Sequence, residues 1–118
     1  MNVASRMARQ TGLPVLVPDY PLAPASRCPA ALTDARAAWA HLLDCGLPPE
    51  RIVIAGDSAG GGLAVALAQS LAGEVEQPAA VVVFSPWVDL SLTGETICSL
   101  ASADPVLSVD YLGWAASN

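Results

Sequence analysis

Residues 51–71 read RIVIAGDSAGGGLAVALAQSL. Ile52, Val53, Ile54 and Ala55 form a short apolar run rich in β-branched residues, which predicts a buried strand. Leu63 to Leu71 is apolar almost all round, which predicts a buried helix. Between them Gly56-Asp57-Ser58-Ala59-Gly60 spells G-x-S-x-G at a strand-to-helix turn, the context in which that short motif carries chemical meaning. A serine on so sharp a turn presents its hydroxyl outward. Flanking glycines let strand and helix approach without Cβ clashes. The helix N-terminus behind it offers unpaired N–H groups and a partial positive charge where an oxyanion would develop. Ser58 is therefore the candidate acyl-accepting nucleophile, with the Ala59 N–H as one oxyanion donor.

Other glycine-rich strand-to-helix turns fit less well. A phosphate-binding P-loop needs Lys-Ser or Lys-Thr after the glycines, and none follows. A dinucleotide fold needs G-x-G-x-x-G and an acidic residue ending the next strand; Gly56, Ser58 and Gly61 break the first pattern and the region of Phe84 lacks the second. A turn that serves only tight packing remains the plain alternative.

Composition narrows the class. A chain of 118 residues is at most one domain with a modest core. Hydrophobic residues make up 53% and charged ones 14%, yet no apolar run reaches membrane-span length, so a buried-sheet α/β protein is expected. A net charge of −6 and no basic patch argue against nucleic acid. Cys28, Cys45 and Cys98 are odd in number and never C-x-x-C, which predicts neither disulfide framework nor metal site and suits a reduced cytoplasmic protein. No cleavable apolar leader stands at Met1.

Outward from the central turn, Val3–Thr11 reads as a helix stopped by Gly12 and Pro14. Val15-Leu16-Val17 reads as a further buried strand. PDYPLAPASRCP, residues 18–29, is an irregular loop in which Asp19 and Tyr20 read as turn structure rather than catalysis. Ala30–Asp44 is amphipathic: Leu32, Ala35, Trp39, Leu42 and Leu43 share one face, while Asp34, His41 and Asp44 share the other. His41, the sole histidine, therefore reads as a surface residue. Ala79–Phe84 is a third apolar strand, so the expected fold is α/β, a parallel sheet of three strands with helices on both faces. Trp87 leaves that strand at the Ser58 edge, where it would line an acyl pocket or pack beneath its loop. Residues 90–118 read as an irregular or helical tail, with Ser108 as N-cap of a last helix.

Three segments together are specific. Asp19-Tyr20-Pro21-Leu22-Ala23-Pro24, Gly56-Asp57-Ser58-Ala59-Gly60-Gly61 and Ser85-Pro86-Trp87-Val88-Asp89-Leu90 resemble, in order and spacing, the hormone-sensitive-lipase family of α/β-hydrolases. The resemblance implies a serine carboxylic ester hydrolase acting on small, short-chain acyl esters without metal or organic cofactor. It implies Ser58 as nucleophile, Ala59 as oxyanion donor, and Gly56, Asp57, Gly60 and Gly61 as the elbow. Departures are visible: Pro21 replaces the family's usual arginine and Ala25 its usual glutamate.

The family's His-Gly-Gly-Gly oxyanion segment would lie upstream of Met1. Asp89, Asp104 and Asp110 follow Ser58, but no histidine does, and Asp104-Pro105 resembles the segment ahead of the triad acid. Residues 1–118 are thus expected to be a partial α/β-hydrolase domain, cut at both ends and inactive alone, with flanking strands missing. The family's intervening strand would separate Val15–Val17 from Ile52–Ala55, leaving a gap or a wrong closure. Two other readings are a non-catalytic small-ligand binder, like the plant gibberellin receptors of this family, and a non-functional gene fragment. The GDSL-type hydrolases fit less well, because Ala59 stands where their leucine would.

Overall fold

A computed structural model describes residues 3–117. The chain runs α1 (Val3–Thr11), α2 (Ala30–Asp44), a 3₁₀ turn (Pro49–Arg51), β1 (Val53–Asp57), α3 (Ala59–Ser70), β2 (Ala80–Phe84), α4 (Glu95–Ser99) and α5 (Val109–Ala116). Helix ends follow from local chemistry. At the end of α2, Gly46 takes φ +80°, its N–H donates to Leu43 O at 2.8 Å, and the Leu47 N–H donates to Leu42 O at 3.2 Å. That pair of bonds is a Schellman stop, which needs a residue at ease with positive φ. At the start of α5 the Ser108 hydroxyl accepts from the Tyr111 N–H at 3.2 Å, as an N-cap should.

β1 and β2 pair in parallel, Val53 opposite Ala80 through Asp57 opposite Phe84. The Ala79 N–H adds a bond to Ile52 O at 2.9 Å, just before both strands. Paired residues share a face, and faces alternate along each strand. Ile54, Gly56 and Val83 therefore face one way, and Val53, Asp57, Val82 and Phe84 the other. α3 lies on the Ile54 side and α2 lies on α3. The core is Ala35, Trp39, Ile52, Leu67 and Leu71, with Leu32, Leu42, Leu43, Ile54 and Leu63 packed against it. The apolar stripe of α2 is the inward one, while Asp34, His41 and Asp44 are exposed.

Three expectations need correction. The sheet has two strands, not three: Val15–Val17 is exposed and joins no ladder among the described residues. A strand exists only through its neighbour, and no neighbour reaches this segment. Second, helices do not cover both faces equally. α1 comes up to the Asp57 and Phe84 corner, leaving an open apolar depression of about 310 Å³ lined also by Val3, Arg6 and Met7. Val53, Val82 and Phe84 stay 51%, 39% and 49% exposed, so β2 is not the buried strand its composition suggests. Third, α3 is buried on one stripe only, Gly61, Ala64 and Leu67, the side met by the sheet, by α2 and by the Pro86–Trp87 loop.

Residues 90–117 carry α4 and α5, joined by turns and without a strand. No helix among the described residues is long and apolar enough to cross a membrane.

Candidate active site

β1 ends at Asp57 and α3 begins at Ala59, so Ser58 is the whole of the turn between them. Its backbone sits at φ +54°, ψ −119°. A non-glycine residue held there carries strain of about 1–3 kcal/mol and persists only where its surroundings enforce it. Ser58 is exposed, and its side chain caps nothing. The first N–H groups of α3, on Ala59, Gly60 and Gly61, have no carbonyl one turn back within the helix to bind. An exposed hydroxyl thus stands beside unpaired, dipole-aligned donors.

Both backbone polar groups of Ser58 are taken. Its N–H donates to Phe84 O at 2.9 Å. Its carbonyl accepts from the Gly62 N–H at 3.1 Å and from the Trp87 N–H at 3.0 Å. Trp87 is half-buried, and its indole N–H donates to Asp89 O at 3.0 Å, closing its own loop.

The glycines divide by need. A Cβ on Gly56 would stand 2.1 Å from Gly60 O, and one on Gly61 would stand 2.9 Å from Pro86 Cα. A Cβ on Gly60 would meet nothing within 4 Å. Gly60 is therefore not required by close approach, contrary to expectation. Gly62 is, since its Cβ would fall 2.3 Å from Trp87 O. Three glycines in a row at the start of a helix, where glycine is unfavourable, are the signal that could have exposed Gly62. Ser85, at φ +42°, is a second strained residue that no local pattern announces.

Among the described residues no base is hydrogen-bonded to the Ser58 hydroxyl. His41 lies exposed near the end of α2, its Nε2 3.7 Å from Cys45 Sγ. Asp89 accepts from the N–H and hydroxyl groups of both Ser91 and Thr93. Those bonds, the Ser91 hydroxyl foremost, hold its carboxyl below the usual carboxylate range. Asp104 accepts from the N–H groups of Leu107 at 2.9 Å and Val106 at 2.8 Å, which lowers it likewise. Each carboxylate serves its own turn. No group of three or more His, Cys, Asp or Glu fit to hold a metal occurs among the described residues.

Residues 1–118 match a family model described as alpha/beta hydrolase fold. The chain is 47% identical over 95 residues to an acetyl-hydrolase of Streptomyces hygroscopicus, a match covering 79% of this chain and 31% of the relative. It superposes with TM-score 0.79 and 43% identity on a crystal structure of an esterase from the bacterial hormone-sensitive lipase family, covering 84% of this chain and 34% of that one. The chain belongs to the hormone-sensitive-lipase family of α/β-hydrolases.

A further family relative, an esterase of Acinetobacter venetianus, is 36% identical over 107 residues, covering 90% of this chain and 35% of its own. The chain therefore spans about a third of the length of these hormone-sensitive-lipase relatives. Pro21 and Ala25, in the loop before α2, are both exposed. The loop that carries them is held by the Ser26 N–H donating to Leu22 O at 3.1 Å.

Proposed function

We propose that this chain carries the nucleophile of a carboxylic ester hydrolase, and that Ser58 is that nucleophile. One observation carries the reading: an exposed serine held at φ +54° between a parallel strand and the free N–H groups of a helix start. In the reaction, Ser58 Oγ attacks the ester carbonyl carbon while a base takes its proton. The carbonyl oxygen becomes an oxyanion facing the Ala59 N–H. The alcohol leaves with a proton, and water then releases the acid from the acyl-serine. The names of the relatives, acetyl-hydrolase and esterase, support short acyl esters as the substrate class.

Gly56 and Gly61 shape the elbow, and Asp57 ends β1 on the sheet face away from α3. Trp87 belongs to the site through its backbone, with its ring as a wall beside it. The three free, exposed cysteines support a reducing compartment such as the cytoplasm.

The test uses the protein at its natural length. An organophosphorus probe is expected to label Ser58, and Ser58→Ala is expected to lower kcat on p-nitrophenyl acetate by about 10⁴–10⁶-fold. The 118-residue polypeptide alone is expected to show no turnover above background, since among the described residues no base is bonded to its serine hydroxyl. Labelling elsewhere, or full activity in Ser58→Ala, would overturn the reading. Saturable binding of a carboxylic ligand without any labelling would replace the hydrolase with a binding protein.

A further inference from the structure

We propose that the Ser85–Trp87 loop, rather than α3 itself, positions Ser58, and that Gly62 is the residue that allows it. The proposal rests on Ser58 being the nucleophile. The helix supplies Ser58 with one bond, from the Gly62 N–H to its carbonyl, which every helix start provides. That bond does not select φ +54°, because the residue lies outside helical geometry.

What remains comes from β2 and the loop after it. Phe84 O holds the Ser58 N–H at 2.9 Å, and the Trp87 N–H holds the Ser58 carbonyl at 3.0 Å. The two anchors lie three residues apart and grip the peptide groups on both sides of one Cα. Rotation about the Ser58 backbone is thereby tied to the path of residues 84–87. Ser85 at φ +42° turns that path back toward the helix. Pro86 then sits against Gly61, and the Trp87 carbonyl sits where a Gly62 Cβ would be, 2.3 Å away. Gly62 has no positive φ and makes no turn. It is the fourth residue of α3, where glycine weakens a helix, so close approach of the loop is the reason for its presence. Gly62 is thus a positioning residue: it touches no substrate and acts through the Trp87 peptide on the height and angle of Ser58.

Gly62→Ala in the protein at its natural length tests this. The added methyl meets backbone, which has to shift. Displacements of that size cost up to about 10²-fold in rate. Accordingly kcat on p-nitrophenyl acetate is expected to fall about 10–100-fold with KM nearly unchanged, and organophosphorus labelling of Ser58 to slow in parallel. Leu71→Ala, which opens the core far along α3, serves as the stability control: it lowers Tm but leaves kcat intact well below that Tm. A Gly62→Ala enzyme with wild-type kcat, or one that loses activity only near its lowered Tm, as Leu71→Ala would, overturns the proposal.

Should Gly62→Ala fail to fold, hydrogen exchange of the unaltered protein reads the same contact. The Trp87 and Ser58 amides are expected to be protected together, and a Trp87 amide exchanging like a free one overturns the proposal. Activity surviving in Ser58→Ala would instead strike the nucleophile reading, while the amide protection would still report on the loop.

Discussion

Arg36 of α2 is bonded twice to Ser70 of α3: its Nη1 donates to the Ser70 carbonyl at 2.7 Å and to the Ser70 hydroxyl at 2.9 Å. Its Nη2 pairs with Glu74 at 2.7 Å. The Ser70 carbonyl belongs to the last turn of α3, where the helix offers it no partner, and a cation suits that negative end. One side chain therefore fastens α2 to the far end of the helix whose start carries Ser58.

The two halves of that contact differ in worth. The pair with Glu74 is about two-fifths exposed on each side, so solvent screens most of it. The bonds to Ser70 are partly buried. Arg36→Met is expected to lower the unfolding free energy by about 1–2 kcal/mol, and Glu74→Gln by no more than about 0.5 kcal/mol. Urea denaturation of the two variants measures both. Equal losses would show that the ion pair, not the helix-end carbonyl, does the fastening.

Gly56 and Gly60 have opposite expectations although both belong to the same motif. A methyl on Gly56 would overlap the Gly60 carbonyl at 2.1 Å, and a backbone atom has no rotamer by which to yield. Gly56→Ala is expected to lose about 3 kcal/mol or more, or to abolish folding. Gly60→Ala enters open space within a helix and is expected to raise stability by about 0.5–1 kcal/mol. Thermal melts of the pair settle the contrast; a destabilised Gly60→Ala would mean that the elbow tolerates no side chain anywhere.

What could be read from the sequence is what depends on neighbours along the chain. The bounds of α2 follow from its 3.6-residue apolar repeat and from Gly46, and the one-residue turn at Ser58 follows from an apolar strand, glycines and an apolar helix in succession. Failures occur where the answer lies across space. Val15–Val17 has strand composition but no strand beside it. Val82 and Phe84 look buried in sequence, yet among the described residues only α1 approaches their face, and only at the Phe84 corner. Gly60 and Gly62 look equivalent until the path of Pro86 and Trp87 distinguishes them. The sharp turn at Ser58 is legible in its motif, whereas Ser85 takes a positive φ with no motif to mark it.

Asp89 ties its loop in a pH-dependent way. Its carboxylate accepts from Ser91 and Thr93, and these bonds favour the charged form. Its folded pKa is therefore depressed below the unfolded value of about 3.9. The sign follows: the contribution is fully present above about pH 4 and is lost as pH falls through the folded pKa. An NMR titration is expected to place the Asp89 midpoint below the usual value, and Thr93→Val to move it back upward by removing a hydroxyl donor. A midpoint unmoved by Thr93→Val would mean that this hydroxyl does not hold the charge.

The open face of the sheet carries the last expectation. Val53, Val82 and Phe84 share one side of a two-stranded ladder and are 51%, 39% and 49% exposed. Beside the depression under α1, they form an apolar surface next to unpaired strand edges. Both features drive association, the first by burial of apolar area and the second by ladder extension. The 118-residue polypeptide is expected to self-associate with rising concentration in static light scattering. Val53→Thr with Val82→Thr keeps β-branching and strand preference while removing apolar surface, so it should weaken association without melting the ladder. If the double variant associates as strongly as the parent, the strand edges rather than the face are responsible, and a proline at an edge position of β2 becomes the effective change.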